Sequence, residues 1–305
     1  MPRSLRPVVA LITLLAACTT TTDPTTMPSS TVAGTPGGRP PRCDVQLIAE
    51  QVGTVESAGL TEISGLAASR AYPGVLWAHN DSGDDAAIHA LAGDGTALGR
   101  TLLPDLTARD WEDIAIGPGP EAGRDYLYLA DIGDNRGDRA TVQIHRLPEP
   151  SPGTNRVGGG ETLTLTYSSG PAEAETLLVD PDSGDLVILG KALSGVTPVF
   201  FVPGTTDWST PQQADNLGDI ELGTFAVATG GDATDGVVVV RTYDEIFRWT
   251  RPPGRDLAAT LFGPGCRAGT VRDSQGEAIA IGPDGQIFTT SEGAFPPIHR
   301  FAPPS

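Results

Sequence analysis

A short apolar pattern recurs five times along the chain at a nearly constant spacing, and this repeat constrains the fold more than any other feature. Successive copies begin 56, 55, 47 and 52 residues apart. The copies are Ile88–Leu91, Ile144–Leu147, Val199–Val202, Ile246–Trp249 and Ile298–Phe301. A repeat of this length predicts one supersecondary unit per copy, and such units must stack on one another to bury their apolar faces.

Further strand patterns surround each copy. The strand before it is Val75–Ala78, Tyr126–Leu129, Leu186–Leu189, Val237–Val240 or Gln286–Thr289. Earlier still, an acid opens a small apolar run in Glu62–Leu66, Glu112–Ile116, Glu175–Val179 and Glu277–Ile281, whereas the fourth module offers Thr229 and Asp232. Outer strands are predicted at Gly99–Leu103, Thr162–Tyr167, Ala214–Leu222 and, from a weaker pattern, Leu257–Phe262.

Four strands per unit, without helical periodicity, predict an all-β fold, a five-bladed β-propeller of four-stranded blades. The chain stops at Ser305 before the fifth unit gains an outer strand, whereas Asp44–Val55 is a strand without a unit of its own. We therefore expect this N-terminal strand to complete the last blade and close the ring, which removes exposed strand edges. Six blades are the alternative, with a weak unit around Pro203–Gly223.

The N-terminus predicts export and lipid attachment. Arg3 and Arg6 precede an apolar stretch that is too short to span a bilayer. The stretch ends in Leu15–Cys18, which resembles the lipobox of bacterial lipoproteins. This resemblance implies cleavage after residue 17, a lipid such as palmitate on Cys18, and a cell-envelope protein that is anchored to the outer side of the cytoplasmic membrane or secreted. An ordinary secretory signal is the alternative, and it leads to the same side of the membrane.

The remaining chain divides into a tether and one domain. Residues 18–42 begin with the lipidated cysteine and continue with Thr, Pro, Ser and Gly, which predicts a disordered tether. Residues 43–305 form the single propeller domain. Cys43 and Cys266 are an even pair in an oxidising compartment, so we expect a disulfide at the seam of the ring, with two free thiols as the alternative.

The charge balance restricts the partners. The formal net charge is −18, and loss of residues 1–17, which hold two arginines and no acids, brings it to −20. Such a surface repels nucleic acid and anionic lipid and attracts cations or basic partners. We therefore expect no nucleic-acid partner and membrane contact through the lipid anchor only, although solubility alone also accounts for the charge.

Charged residues are predicted to gather at one mouth of the central channel, where first strands start and second strands end. At the ends of the second strands we align Asp81, Asp131, Lys191, Arg241 and Glu292, which are spaced 50, 60, 50 and 51 residues apart. The predicted ligand-binding set is Glu62, Asn80, Asp81, Asp110, Glu112, Asp113, Asp131, Asp134, Asn135, Glu175, Lys191, Asp232, Arg241, Tyr243, Glu277 and Glu292.

Crowded carboxylates favour a bound hard cation, because they cannot all stay ionised without a counter-charge. Ca²⁺ prefers six to eight oxygen ligands, and we expect it at Glu62, Asp81, Glu112, Asp131 and Glu277. The runs Asn80–Asp85 and Asp131–Asp138 look like calcium loops, but they lack the spacing of an EF-hand, and capped turns are the alternative.

The two basic residues of the set allow two interpretations. Lys191 and Arg241 either hold a phosphate or carboxylate that the metal also binds, or simply pair with Glu175 and Asp232.

The domain resembles a group of secreted bacterial propeller proteins of unknown activity. The matching segments are Ile63–Leu66, His79–Gly83, Asp110–Ile114, Asp131–Asn135, Arg241–Tyr243 and Gly276–Ile279. The resemblance covers nearly all of residues 44–302 and implies the fold and the importance of these segments, but no established reaction. More remotely, the acids around the mouth look like those of β-propeller phytases and calcium-dependent nucleotidases, which is an analogy of fold.

Known catalytic signatures are absent from the sequence: it has no Gly-x-Ser-x-Gly, His-Glu-x-x-His, Cys-x-x-Cys or phosphate-loop motif. The prediction is therefore a binding module for a small molecule or an envelope partner. One alternative is a hydrolase, either of phosphoesters held by Lys191 and Arg241 or of glycosides between paired carboxylates such as Glu112 and Glu277. A purely structural role in the envelope is the other alternative.

Overall fold

The computed structural model describes residues 39–302, which form twenty strands and one short helix. The first two groups of strands are β2 (Ile63–Ala68), β3 (Val75–Asn80), β4 (Ala87–Ala92) and β5 (Ala97–Leu102), then β6 (Trp111–Pro118), β7 (Asp125–Asp131), β8 (Val142–Pro148) and β9 (Glu161–Tyr167). The third and fourth are β10 (Ala174–Val179), β11 (Leu186–Gly190), β12 (Val196–Val202) and β13 (Gln212–Glu221), then β14 (Ala228–Ala233), β15 (Val237–Thr242), β16 (Glu245–Thr250) and β17 (Gly265–Thr270). The last is β18 (Gly276–Ile281), β19 (Ile287–Ser291), β20 (Pro297–Phe301) and β1 (Ala49–Thr54).

Neighbouring strands within each group pair antiparallel in the order given. The N-terminal strand β1 pairs with β20, from Ala49 opposite Phe301 to Thr54 opposite Pro297, so the predicted closure by that strand is confirmed. Residues 203–223, considered as an additional unit, contribute only β13 among the described residues. A short parallel contact between β9 and β13 joins the outer edges of the second and third groups.

The first strands of the groups form a closed ring. Each of β2, β6, β10 and β14 contacts the first strand of the next group, and β18 contacts β2. Because these strands have neighbours on both faces, nearly every residue in them is buried. The all-β propeller predicted from the repeat is therefore confirmed, and polar side chains on the first strands must face either the channel or another inner strand.

One predicted outer strand is wrong. Residues 257–262 begin with helix α1 (Leu257–Leu261), and the outer strand of the fourth group is β17, further along the chain. Asp256 caps the helix by accepting a hydrogen bond from the Ala259 amide, and Leu, Ala and Ala favour the helical backbone. None of the helices among the described residues has the length and apolar character needed to cross a membrane.

A disulfide ties the start of the domain to β17. Cys43 and Cys266 are bonded, with their Cα atoms 5.0 Å apart, so the predicted bridge is confirmed. The preceding residues also pack here, because Arg42 pairs with Arg267 and Pro40 accepts a hydrogen bond from the Arg267 side chain at 2.9 Å. The ordered part thus starts before residue 43. The predicted signal peptide, Cys18 and residues 19–38 of the tether lie outside the described residues.

Candidate functional site

Every first strand has an irregular register against its second strand, always at the second residue of the first strand. The residues at these bulges are Ser64, Glu112, Glu175, Thr229 and Glu277. A bulge leaves one residue without a partner in the ladder and redirects its side chain. The repeated bulge is therefore the feature that decides which side chains reach the mouth.

The five bulge residues play two roles. The short hydroxyl side chains link neighbouring inner strands: Ser64 Oγ donates to the Glu112 carbonyl at 2.6 Å, and Thr229 Oγ1 to the Gly276 carbonyl at 2.9 Å. The three glutamates instead lie among other charged groups at the mouth. Glu62, predicted as the equivalent of Glu112, precedes the bulge by two residues and is exposed, so Ser64 is the true equivalent.

The alignment predicted for the ends of the second strands is partly out of register. The main-chain amides of Asp81, Lys191 and Glu292 donate to the carbonyls of Glu62, Glu173 and Gln275 at 2.8, 2.8 and 3.0 Å. These three residues are therefore equivalent. Asp131 pairs with Trp111 inside the ladder, and Arg241 lies opposite Gly230, so both precede the equivalent position. Asp131 precedes it by one residue, which turns the side chain to the other face of the strand, whereas Arg241 precedes it by two residues and is the equivalent of the buried His79.

Asp131 is accordingly not a mouth residue. Its buried carboxylate forms an ion pair with the buried Arg139 guanidinium at 2.8 Å and accepts a hydrogen bond from the Arg109 amide at 3.3 Å. The carboxylate of Asp131, which was predicted as a metal ligand, is therefore already neutralised by Arg139.

Arg241 is fully buried and paired, but not with Asp232 as one interpretation expected. It contacts Asp273 at 2.6 Å and donates to the carbonyls of Ala278 and Thr290 at 2.9 and 2.7 Å. A side chain at Gly276 would clash with the guanidinium, so this glycine makes room for it. Arg241 supports the seam between the fourth and fifth groups and does not reach a ligand.

Asp113 and Asp232 bind main-chain amides inside the channel wall. Asp113 Oδ2 accepts from Leu177 at 2.9 Å and Gly231 at 3.3 Å, and Asp232 Oδ2 accepts from Ile281 at 2.7 Å. Burial raises the pKa of both carboxyls, that of Asp232 to about 6. Asp232 lines a cavity of about 320 Å³ at the opposite ends of the inner strands. Both acids link inner strands and lie away from the mouth cluster.

The two Asp/Asn/Gly runs are capped turns. Asn80 Oδ1 accepts from the amides of Thr61 and Glu62, both at 3.1 Å. Asp134 accepts from the Asp138 and Arg139 amides at 2.9 and 3.0 Å, and Asn135 is exposed in the same turn. The side-chain amide of Asn80 and the carboxylate of Asp134 thus hydrogen-bond main-chain amides and stabilise the turns.

The mouth brings two groups of carboxylates together. Asp81, Asp110 and Glu112 form one group, and Glu112, Glu173 and Glu175 form the other; we name them triad A and triad B. Within each triad the three acids offer oxygens that all lie within 4.8 Å of one another. Glu173 was missing from the predicted set, although the spacing Glu173-x-Glu175 repeats Asp110-x-Glu112 and would have revealed it.

Positive charge at the mouth is scarce. Lys191 donates a hydrogen bond to Glu175 of triad B. Among the described residues, no Lys or Arg lies within 4.0 Å of any carboxylate of triad A. Asp81 Oδ1 in triad A, and Glu173 Oε1 and Glu175 Oε2 in triad B, are buried without a hydrogen-bond partner in the part of the chain that the structure describes. Such atoms are costly to bury and indicate a missing positive partner.

Burial and mutual repulsion hold protons on several mouth acids. Burial, then repulsion from Asp110, raises the pKa of Asp81 to about 7. Burial also raises the pKa of Glu112 well above its usual range. Burial, then repulsion from Glu292, raises the pKa of Glu277 to about 8. Burial raises the pKa of Tyr243 to about 12, and the Lys191 ammonium lies 5.9 Å from its ring.

Comparison with known proteins adds little to this geometry. No protein-family model matches the chain, and no curated protein matches its sequence. A crystal structure of the soluble aldose sugar dehydrogenase from Escherichia coli in the apo form has a TM-score of 0.48 and 10% identity, covering 85% of this chain and 100% of that chain. A crystal structure of glucose dehydrogenase has a TM-score of 0.46 and 12% identity, covering 84% and 100%.

These similarities carry no information about the activity of this chain. The resemblance to secreted bacterial propellers, and the remoter one to phytases and nucleotidases, stays a prediction.

Proposed function

We propose that the chain is an extracytoplasmic binding propeller, held in the cell envelope by lipid on Cys18, whose mouth binds a divalent cation at triad A. The metal part of this proposal rests on the closeness of the acids in triad A and on their lack of positive partners. Three acids converge within 4.8 Å, and among residues 39–302 no Lys or Arg lies within 4.0 Å of them and a buried oxygen of Asp81 lacks a hydrogen-bond partner. A divalent cation supplies the missing positive charge.

Ca²⁺ is the ion that suits these groups best. All three side chains offer only carboxylate oxygens, which are hard ligands, and three carboxylates provide as many as six oxygens if each binds through both. Mg²⁺ requires a regular octahedron and keeps most of its water, so it fits an all-carboxylate group less well. Asp81 and Asp110 are partly exposed, which leaves coordination positions open toward solvent.

The open positions would receive the ligand. An anionic group on a small molecule or envelope partner would bind the cation directly, and Lys191 would provide a second contact because its side chain is 23% exposed. Arg241 has no part in this contact, because it is buried against Asp273. The lipid anchor would keep the mouth at the membrane surface.

Titration calorimetry of the purified protein with CaCl₂ tests the metal part. We expect Ca²⁺ binding that is lost in Asp81→Asn and Glu112→Gln. Asp85→Asn is the matched control, because Asp85 lies in the same turn as Asp81 but is 78% exposed. Absence of both heat and thermal stabilisation at millimolar Ca²⁺ would remove the proposal.

Hydrolysis at the same mouth is a second candidate, and the neighbouring carboxyl groups of Glu277 and Glu292 favour it. A carboxyl that holds a proton near neutral pH can protonate a leaving group, while a cation at triad A would activate water. A panel of phosphoesters and glycosides, with and without Ca²⁺, distinguishes the two candidates. Turnover that disappears in both Glu112→Gln and Glu277→Gln supports hydrolysis, whereas no turnover with any substrate supports binding alone.

A further inference from the structure

We infer that Lys191 occupies the second of two adjacent cation positions in the mouth and thereby limits the mouth to one metal ion. The inference rests on the proposed function, because it takes triad A as the position of the metal. It assigns to Lys191 the role of an internal cation that sets how many ions the site accepts.

The two triads are built alike and share Glu112. Asp110-x-Glu112 contributes to triad A, and the same spacing in Glu173-x-Glu175 contributes to triad B. A carboxylate has two oxygens and can bridge two cations, so Glu112 can serve both triads at once. The mouth therefore contains ligand sets for two neighbouring ions.

Lys191 already sits in one of them. It directly follows β11, and its main-chain amide donates to the Glu173 carbonyl at 2.8 Å, which fixes the residue beside triad B. Its ammonium bonds Glu175 and packs 5.9 Å from the Tyr243 ring. The side chain is therefore held from both ends and directed at the carboxylates. Among residues 39–302, triad A has no Lys or Arg within 4.0 Å of its carboxylates.

One ammonium neutralises triad B only in part. The Glu175 side chain is 4% exposed, and its Oε2 still lacks a hydrogen-bond partner, as does Glu173 Oε1. A single positive charge lies beside three acids. A divalent cation would bring two positive charges and would accept more oxygen ligands. Removal of the ammonium should therefore leave a buried acidic group that a second divalent ion fills.

Lys191→Met tests the inference, because it removes the charge and keeps the length of the side chain. Calorimetry with CaCl₂ should give one ion per chain for the unmodified protein and two for Lys191→Met. With Mn²⁺ as a paramagnetic substitute, electron paramagnetic resonance should show isolated ions in the former and two exchange-coupled ions in the latter. Metal-free Lys191→Met should melt at a lower temperature and gain more from Ca²⁺ than the unmodified protein does.

Two further variants complete the design. Lys191→Arg keeps the positive charge and should stay at one ion, and Lys191→Met with Glu175→Gln should return to one ion, since triad B is then incomplete. If Lys191→Met does not fold, Lys191→Gln carries the same expectation. One ion in a folded neutral variant, or two ions in the unmodified protein, would overturn the inference. Absence of any ion in the unmodified protein would instead contradict the proposed function.

Discussion

Glu277 and Glu292 are neighbours at the mouth, although one is the bulge residue of β18 and the other follows the end of β19. Two neighbouring carboxylates repel each other when both are ionised, which favours a proton on one of them. Burial and the charge of Glu292 raise the pKa of Glu277, whereas nearby Lys191 lowers it. The charge of the mouth therefore changes close to neutral pH.

The metal-free protein should lose stability as the pH rises from about 6.5 to about 8. The pKa values of Asp81, about 7, and Glu277, about 8, are raised in the folded state, so the folded protein holds protons that the unfolded chain has released. The free energy of unfolding should fall by roughly 1 to 2 kcal/mol across this window. Urea unfolding in EDTA at both pH values measures the change.

His79 and His89 do not disturb this window. Burial lowers the pKa of His79 and His89 to about 4, so their effect on stability lies below pH 6.5 and has the opposite sign. Glu277→Gln should weaken the dependence of the free energy of unfolding on pH. Saturating Ca²⁺ should also weaken it, because the ion stabilises the ionised form of Asp81. Stability that stays level or rises toward pH 8 in EDTA would count against this account of the mouth.

Gly133→Ala should weaken Ca²⁺ binding without removing any ligand. A Cβ at this position would lie 2.0 Å from Glu112 Oε1 and 2.5 Å from Asp110 Oδ2, so both carboxylates must move. We expect at least about a tenfold loss of Ca²⁺ affinity by calorimetry, since 1.4 kcal/mol corresponds to a factor of ten. Gly236→Ala is the control, because its Cβ meets nothing within 4 Å. Equal Ca²⁺ affinities in the two variants would contradict the assignment of triad A.

Arg241→Met should destabilise the fold rather than the site. It leaves the Asp273 carboxylate buried without its partner, and breaking a buried pair in this way costs about 3 to 5 kcal/mol. Arg248→Met is a matched change on the adjacent strand β16, where Arg248 has no ion pair among residues 39–302, and it should cost little. Denaturant unfolding compares the two variants. Full stability of Arg241→Met combined with lost ligand binding would restore Arg241 as a binding residue.

The disulfide should make a large contribution to stability. It joins residues 223 positions apart, and the chain-entropy model assigns a loop of this size about 5 kcal/mol. Replacing Cys43 and Cys266 with serine should lower the free energy of unfolding by about 2 to 5 kcal/mol. Reduction of the unmodified protein should have a similar effect, measured by urea unfolding with and without reductant. An unchanged unfolding midpoint would show that main-chain pairing of β1 with β20 suffices to hold the seam.

Much of the architecture follows from the sequence because the apolar repeat is regular. Each predicted first, second and third strand overlaps an observed strand, since buried strands need continuous apolar runs whatever their neighbours are. The closing strand was predictable because the fifth unit lacked one. Residues 257–262 were not predictable in this way, because a short apolar segment suits a helix as well as a strand and the Asp256 cap decides between them.

The sequence by itself determined that acids open several first strands and that these strands share one end of the ring. Only the tertiary structure decided which acids meet. The register of each second strand decides this: Asp131 lies one residue and Arg241 two residues before the mouth position, and both form buried ion pairs, whereas Asp81, Lys191 and Glu292 reach the mouth. The spacing of residues along the chain does not reveal such a shift, because the shift depends on hydrogen bonds between strands.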